Sequence, residues 1–449
     1  MTMKKMKHDV PTRLVKVLNL ILMMVAFGFV WYGYYAARAQ VHYYRRGDWV
    51  VILLFGILYY GFCRSYDAFH ISISPISEII YSQTLALIIS DFIMYVVIWL
   101  LSLYMPNAVP LLITFGVQLL ISVLWTFLAH QWYFHNFQPG RTAVIYDLRE
   151  GMESLVGEYG MEKKFHIEKV LGVEECLEKL SVLDEMDTVF LSGIHSHERN
   201  IILKYCMYQD IQVYVIPRIG DVIMGGAKKV HMFHLPMLRI DRYRPIPEYT
   251  IAKRAFDILF SGIAIVIASP FMLVTAIAIK SDGGPALYKQ KRLTKDGKEF
   301  NVLKFRSMRV DAEKDGVARL SPGDKDDRIT PVGKVIRKIR FDELPQLFNI
   351  LRGDMSIVGP RPERPEIARQ YEEEMPEFRL RLQAKAGLTG YAQVYGKYNT
   401  TPYDKLLMDL TYIGTPSLWE DFKICLATVK ILFMPESTEG VEEGQATAM

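Results

Sequence analysis

The chain has 449 residues, enough for two or three domains, with 51% hydrophobic residues and a formal net charge of +4. Its mean hydropathy of +0.12 is high for a soluble protein, and the excess sits in the first third and one later patch, so part of the chain is expected in a membrane and part outside it. So small a charge excludes a nucleic-acid binder built on a basic stripe. The four cysteines, Cys63, Cys176, Cys206 and Cys425, form no C-x-x-C pair, which argues against a disulfide frame or zinc site.

Four apolar segments come first, at about 14–36, 49–66, 83–104 and 109–132. Each approaches the ~20 residues that a bilayer core requires. The first is too long for a cleavable signal peptide, and another follows soon after. Trp31, Tyr32, Tyr34, Tyr35, Trp49, Tyr104, Trp132 and Tyr133 lie near segment ends, where interfacial anchors sit. Lys4, Lys5, Lys7, Arg13 and Lys16 favour a cytoplasmic N-terminus, and the loop at Met105-Pro106-Asn107 carries no Lys or Arg. The loop with Arg38, Arg45 and Arg46 fits that orientation less well. Four spans return the chain to the cytoplasm.

The region 141–245 reads as α/β, with strands at Thr142–Ile145, Thr188–Leu191 and Val213–Ile216 separated by helices. The layout is Rossmann-like. The turn after the first strand, Tyr146-Asp147-Leu148-Arg149-Glu150-Gly151, lacks the glycines that admit a pyrophosphate, so a structural or regulatory role is expected. His195-Ser196-His197 has no supporting ligands and reads as an exposed loop.

From Ile258 to Ile279 a further apolar run carries Ser269-Pro270 at its centre. Proline removes a helix hydrogen bond and clashes with the preceding turn. Both flanks are basic, with Lys253 and Arg254 before and Lys280, Lys289, Lys291 and Arg292 after. A helix bent at Ser269-Pro270 that enters one leaflet and returns to the same face fits this pattern, with Ser269 or its neighbours serving the freed backbone groups. A kinked true span is the alternative. Near the end Trp419, Phe422, Leu426, Val429 and Phe433 recur at helical spacing, as in an interfacial helix or one packed on the core.

The stretch from Arg337 to Asp354 is the most informative. Leu344, Leu347, Phe348 and Leu351 make one apolar helical face, Asp342 suits an N-cap, Pro345 the first turn, and Gly353 the end. Asp342 and Glu343 would then lie at the positive end of a helix with Arg337 and Arg340 close by, surroundings that favour ionised carboxylates and attract phosphate. An ionised carboxylate can attack phosphorus and its neighbour can hold Mg²⁺. On spacing alone an Asp-Glu pair at a helix start is more often simple capping.

The surrounding motifs occur in order: Lys253-Arg254 with Asp257, Ser269-Pro270, Gly284 to Arg292, Phe300 with Lys304 to Met308, Asp327 to Thr330, Asp342 to Gln346, Gly353 to Pro362, and Gly387 to Val394. In this order they resemble the bacterial sugar transferase family, the monotopic phosphoglycosyl transferases that act on polyprenyl phosphate. The layout of the front of the chain resembles the large branch of that family. The resemblance implies four transmembrane helices in 1–136, a Rossmann-like domain in 137–249, a mainly helical catalytic domain with a re-entrant membrane helix in 250–436, and a flexible tail at 437–449.

It also implies roles. Asp342 attacks the phosphate of a UDP-sugar, expels UMP and forms an aspartyl-phosphosugar, which undecaprenyl phosphate then resolves. Glu343 assists, and the pair binds Mg²⁺. Lys304, Arg306, Arg337, Arg361 and Gln393 bind substrate, and Ser269 and Pro270 make the re-entrant break. For Arg361, a structural turn between flanking prolines is the competing reading. The implied setting is the bacterial inner membrane, with catalysis on the cytoplasmic face, as the first membrane step of exopolysaccharide, capsule or O-antigen synthesis. The expected partners are these substrates and membrane lipids, with a homodimer allowed and nucleic acid excluded.

After Gln393 the sequence reads Val394-Tyr395-Gly396-Lys397 where the family's common form has Asn-Gly-Arg, which bears on sugar identity. Two other classes compete. A membrane nucleotide-sugar dehydratase or epimerase would use a Tyr-x-x-x-Lys pair, matched in spacing by Tyr159 and Lys163, but needs the missing glycine turn. A non-catalytic scaffold or regulator of polysaccharide assembly would not need Asp342-Glu343 and its basic neighbours.

Overall fold

The computed structural model describes residues 3–38, 47–102, 104–149, 151–281, 283–309, 328–396 and 400–432. Arg45, Arg46, Glu150, Asp327, Lys397, Phe433 and the expected tail at 437–449 lie outside these. The chain is mostly helical and divides into two compact units, Met1–Ile216 and Pro217–Met449.

In lipid a segment must satisfy its own backbone polar groups, which long apolar sequences do by forming helices. The first unit opens with α1 (Met3–Val30), α2 (Gly47–Ser65), α3 (Ile76–Ser102) and α4 (Val109–Asn136). Each is long and apolar enough to cross a membrane. They pack by their inner faces, as where Phe27 stacks on Phe55 at 4.5 Å between ring centroids. Large apolar residues such as Phe29, Phe92, Leu120 and Leu128 point outward. The aromatic anchors divide. Tyr32, Trp49 and Tyr104 are exposed, whereas Trp31, Tyr35 and Tyr133 are buried, Trp31 donating to Asp48 Oδ1 (2.8 Å) and Tyr35 to the Asn107 carbonyl (2.7 Å).

The same unit holds β1 (Gly140–Tyr146), α5 (Met152–Glu158), β2 (Phe165–Gly172), α6 (Val173–Glu178), β3 (Thr188–Ser192), α7 (Ser196–Tyr208) and β4 (Gln212–Val215). The strands form one parallel sheet in the order β2-β1-β3-β4. β3 is buried throughout, as a central parallel strand should be. β2 was not expected. It is an edge strand whose exposed residues, His166, Glu168 and Val170, alternate with more buried ones, so it has no continuous apolar run. Among the described residues no three His, Cys, Asp or Glu side chains gather as a metal group, and His195 lies beside Asp147 at 3.8 Å.

The second unit begins with α8 (Ile219–Gly225) and an antiparallel hairpin of β5 (Lys228–Met232) and β6 (Leu235–Arg239). A Cβ on Gly226 would lie 2.7 Å from Gly414 Cα, and Tyr243 N donates to Gln383 Oε1. Residues 217–249, expected with the middle domain, therefore pack with the rest of the second unit. There follow α9 (Pro247–Ser281), the antiparallel pair β7 (Leu287–Leu293) and β8 (Glu299–Phe305), α10 (Pro331–Lys338), α11 (Gln346–Arg352), β9 (Ser356–Val358), α12 (Pro365–Glu374), β10 (Gly387–Thr389), α13 (Tyr391–Tyr395), α14 (Pro402–Gly414) and α15 (Leu418–Leu432). A core of Val358, Phe378, Leu406, Leu410 and Ile424 joins β9, α14 and α15. It resolves the alternatives for α15, which is packed on the core through Ile424 and keeps Trp419 and Val429 exposed.

The helical backbone of α9 continues through Ser269-Pro270. Pro270 cannot donate to the Val266 carbonyl, and Ser269 Oγ donates to it instead at 2.8 Å. At ~1.5 Å per residue such a helix exceeds the ~30 Å bilayer core. Contacts with its own unit recur along its length. Lys253 reaches Asp421 (2.9 Å), Asp257 accepts from the Ile357 amide (2.9 Å), Ala264 and Ile265 touch the Val302–Leu347 cluster, Phe271 meets Phe341, and Met272, Ala276 and Ile279 pack with Phe305 and Ile336. The rest of its surface, including Leu259, Ile263, Val266, Val274 and Ile277, is exposed and apolar.

Candidate active site

Thr330 starts α10 by accepting from the Gly333 amide at 2.9 Å, with Pro331 next, a proline where the missing N–H costs nothing. Gly333 sits so close to the preceding strand end that a Cβ there would lie 2.0 Å from the Ser307 carbonyl oxygen. This contact aims Arg337, whose Nε donates to Ser307 Oγ (2.9 Å). The chain then turns sharply at Arg340, whose φ of 52° lies in the left-handed region, and enters the 3₁₀ turn Phe341–Glu343.

The carboxylates therefore stand on this turn and not at the head of the following helix. α11 begins at Gln346 with Pro345 as its cap, so Asp342 is not an N-cap. Gly353 ends the helix at a φ of 91°, as expected. The buried face also differs from the Leu344-Leu347-Phe348-Leu351 stripe: Leu347, Ile350, Gln346 and Asn349 are buried, while Phe348 is exposed. Asn349 binds α11 to β8, accepting from the Leu303 amide and donating to the Asn301 carbonyl, both at 2.9 Å.

Glu343 Oε1 meets two cations, Lys304 Nζ at 2.9 Å and Arg361 Nη2 at 3.4 Å. Burial pushes Glu343 upward, but Lys304 and Arg361 outweigh it and hold the carboxyl well below the usual carboxylate range. Asp342 moves the other way. Burial and the neighbouring Glu343 charge raise it, against Lys304 and Arg337. The expectation that the surroundings favour both ionised carboxylates thus holds for Glu343 and fails for Asp342, because Asp342 is buried and its neighbour is an anion.

Of the expected substrate ligands, Lys304, Arg337 and Arg361 act on this acid pair, and Arg306 and Gln393 have other partners. The Arg306 guanidinium is buried and donates to the carbonyls of Pro285 (3.0 Å), Ile279 (3.0 Å) and Gly283 (3.2 Å), closing the end of α9. Its donors are spent on these backbone carbonyls. Gln393 Nε2 donates to the Leu388 carbonyl (3.0 Å), and its Oε1 is buried with no partner among the described residues.

Two glycine motifs seat Arg361. Gly359 N donates to Thr389 O and Gly387 N to Pro360 O, both at 2.9 Å, and a Cβ on Gly387 would fall 2.2 Å from Gly359 N. Arg381 supports the same loop. Its Nη2 donates to the Arg361 carbonyl (2.9 Å) and approaches Asp409 Oδ2 (2.7 Å), to which its Nε also donates (2.9 Å). Arg381 and Asp409 lie outside the motifs, and in sequence they look like ordinary surface charges of a helical segment. On the other side, Arg254 Nη1 and Nη2 donate to the carbonyls of Ile350 (2.6 Å) and Leu351 (2.7 Å), fastening the membrane-type helix to the one that follows the acids.

An acid pair stands on a left-handed turn among Lys304, Arg337 and Arg361, next to a helix fastened to the long apolar α9. The bacterial sugar transferase family model matches residues 248–435. The chain is 40% identical over 234 residues to a UDP-N-acetylgalactosamine-undecaprenyl-phosphate N-acetylgalactosaminephosphotransferase of Aeromonas hydrophila, covering 51% of this chain and 54% of that one. It is 40% identical over 201 residues to a UDP-glucose:undecaprenyl-phosphate glucose-1-phosphate transferase of Caulobacter vibrioides, covering 43% and 74%. It is 38% identical over 236 residues to an undecaprenyl-phosphate galactose phosphotransferase of Salmonella typhimurium, covering 49% of each. The chain belongs to the bacterial sugar transferase family. It spans about half the length of the Aeromonas and Salmonella relatives.

Proposed function

We propose that this protein transfers a sugar-1-phosphate from a UDP-sugar to undecaprenyl phosphate, as the initiating membrane step in building a surface polysaccharide. The observation that carries the reading is the pairing of Asp342 with a Glu343 already neutralised by Lys304 and Arg361. A carboxylate held upward stays basic, which favours attack once it is ionised. An Asp342 oxygen bonds to the sugar-linked phosphorus, the bond from that phosphorus to the UMP oxygen breaks, and UMP leaves. An oxygen of the lipid phosphate then attacks the same phosphorus and the Asp342 carboxylate departs. Lys304, Arg337 and Arg361 hold phosphate oxygens during both displacements.

Both described cation contacts of Glu343 go through Oε1, and its Oε2 with the Asp342 carboxylate would supply the oxygens toward a metal cation. Such a donor set suits Mg²⁺, which commonly takes one or two carboxylates and completes its shell with water and phosphate. When bound there, the ion would neutralise phosphate charge and favour ionised Asp342.

The spacing of contacts along α9 supports a re-entrant helix. A crossing needs ~20 residues in lipid, and α9 has no such run without a contact to its own unit. Its exposed apolar face would then lie in one leaflet, with the four helices of the first unit as the transmembrane spans and the parallel sheet as a Rossmann-like domain.

The test is nucleotide release by the purified full chain with Mg²⁺, undecaprenyl phosphate and a panel of UDP-sugars, beside Asp342→Asn. UMP release with one donor, lost in the variant, is the expected result. Release of UDP overturns phosphosugar transfer, and release that survives in Asp342→Asn overturns the assignment of the nucleophile.

A further inference from the structure

The membrane helices of the first unit carry a polar seam that the proposed chemistry does not use. Its first layer is satisfied. Tyr59 donates to Asn19 Oδ1 (2.9 Å), Asn19 Nδ2 to Gln83 Oε1 (3.5 Å), Ser122 Oγ to Gln83 Oε1 (2.7 Å), and Gln83 Nε2 to the Ala68 carbonyl (3.4 Å). Four helices or their connections are thereby tied together.

The second layer is different. Asp91 is 5% exposed and Gln118 and Ser90 are 0% exposed, and both carboxylate oxygens of Asp91, both amide atoms of Gln118 and the hydroxyl of Ser90 have no hydrogen-bond partner among the described residues. The helices place these groups together. Ser122 bonded to Gln83 fixes the antiparallel register of α3 and α4. Ser90 and Asp91 are seven and eight residues beyond Gln83, and so share its face of α3. Gln118 and Thr114 are four and eight residues before Ser122, and so share its face of α4. Asp91 and Thr114 thus lie ~12 Å along the bundle from the first layer, and Gln118 ~6 Å, one turn of α4 nearer to it. Asp91 is near the middle of Ile76–Ser102, far from either end.

An ionisable side chain at that depth is costly unless it meets a counter-charge, and usually marks a functional site. No Lys or Arg lies within α3 or α4. Were a shared proton the whole answer, carboxyl and amide could bond directly, yet neither has a hydrogen-bond partner among the described residues. A single carboxylate does not balance a divalent ion, and oxygen ligands do not select a transition metal.

We propose that Asp91, Gln118 and Ser90, with Thr114 beside them, form a binding site for one monovalent metal cation, sodium being the probe, inside the membrane bundle. The ion would neutralise Asp91 and lock α3 to α4.

The test uses the full chain in lipid nanodiscs, with sodium chloride compared against choline chloride at equal ionic strength. Radioactive sodium binding and the melting temperature are read together. Expected are saturable binding of one ion per chain and a melting temperature that rises with sodium and not with choline. Asp91→Asn should abolish both effects, and Gln118→Leu, which keeps the carboxylate, should weaken affinity about tenfold, the loss of ~1.4 kcal/mol of ligation. Absence of bound sodium in the folded wild type overturns the proposal, as does sodium binding that survives in Asp91→Asn. So does an infrared protonated-carboxyl band, missing in Asp91→Asn, that sodium leaves unchanged, because Asp91 would then hold a permanent proton. If Asp91→Asn does not fold, the wild type and Gln118→Leu decide the matter.

Discussion

Replacing Arg381 by Met should be among the most damaging changes outside the acid pair. The Arg381 and Asp409 side chains are 5% and 1% exposed, and the guanidinium also approaches Glu363 Oε1 (3.6 Å) and holds the Arg361 carbonyl. Removing one partner of a buried pair leaves an uncompensated charge and costs ~3–5 kcal/mol. Burial already lifts Asp409 to about 6, although Arg381 pulls it down. Without Arg381 the carboxyl rises further. A carboxyl raised in the folded state contributes most below its unfolded value and loses stability as pH rises toward its folded value. That loss ends at about 6 in the wild type and continues above it in the variant, at ~1.4 kcal/mol per pH unit. The gap between the two proteins should therefore widen above about pH 6. Thermal unfolding in nanodiscs at several pH values measures it, with a deficit of ~6–20 °C expected near neutrality at 2–4 °C per kcal/mol. Adding Asp409→Leu should recover much of the loss, since an apolar pair can replace a buried ionic one. A deficit under ~2 °C, equal at all pH values, would refute the reasoning.

Glu343→Gln should lower nucleotide release about 10²-fold, because Lys304 and Arg361 lose the charge that organises them; steady-state rates at saturating Mg²⁺ check this. Arg306→Lys should destabilise by ~1–3 kcal/mol, since one ammonium cannot serve the Ile279, Gly283 and Pro285 carbonyls, while release per folded molecule stays near wild type. A selective fall in turnover would return Arg306 to the phosphates. Gly333→Ala should both destabilise, by ~1–3 kcal/mol or more, and slow release, because its methyl displaces Ser307 and with it Arg337; melting and turnover should fall together.

The long apolar helices were readable because their composition has one structural outcome in lipid. At Pro270 the freed Val266 carbonyl is served by Ser269, one of the partners the sequence offered, while the helix itself runs on through the expected break. The reading lost accuracy where tertiary contacts overrule local pattern. Asp342 resembles an N-cap by sequence, but the left-handed Arg340 turns the chain first and starts α11 later. Arg306 sits among phosphate-type cations in the motif, yet its side chain is taken by carbonyls at a helix end about 25 residues earlier. Edge strand β2 and the pair Arg381–Asp409 left no local signal, since their partners are distant in sequence. The different fates of the two carboxylates were also hidden, because spacing reports neighbours and not which oxygen faces which cation.

The fork of Arg254 on the Ile350 and Leu351 carbonyls bears on what can be separated. The lipid-seeking helix is not a tether from which the chemistry could be cut loose. Excising α9 would take the Arg254 donors from the Ile350 and Leu351 carbonyls, uncover the apolar faces of Phe305 and Ile336, and slacken the turn that carries the acids. A water-soluble fragment made this way should therefore be misfolded before it is inactive. Solubility has to come from a substitute for lipid around an intact α9.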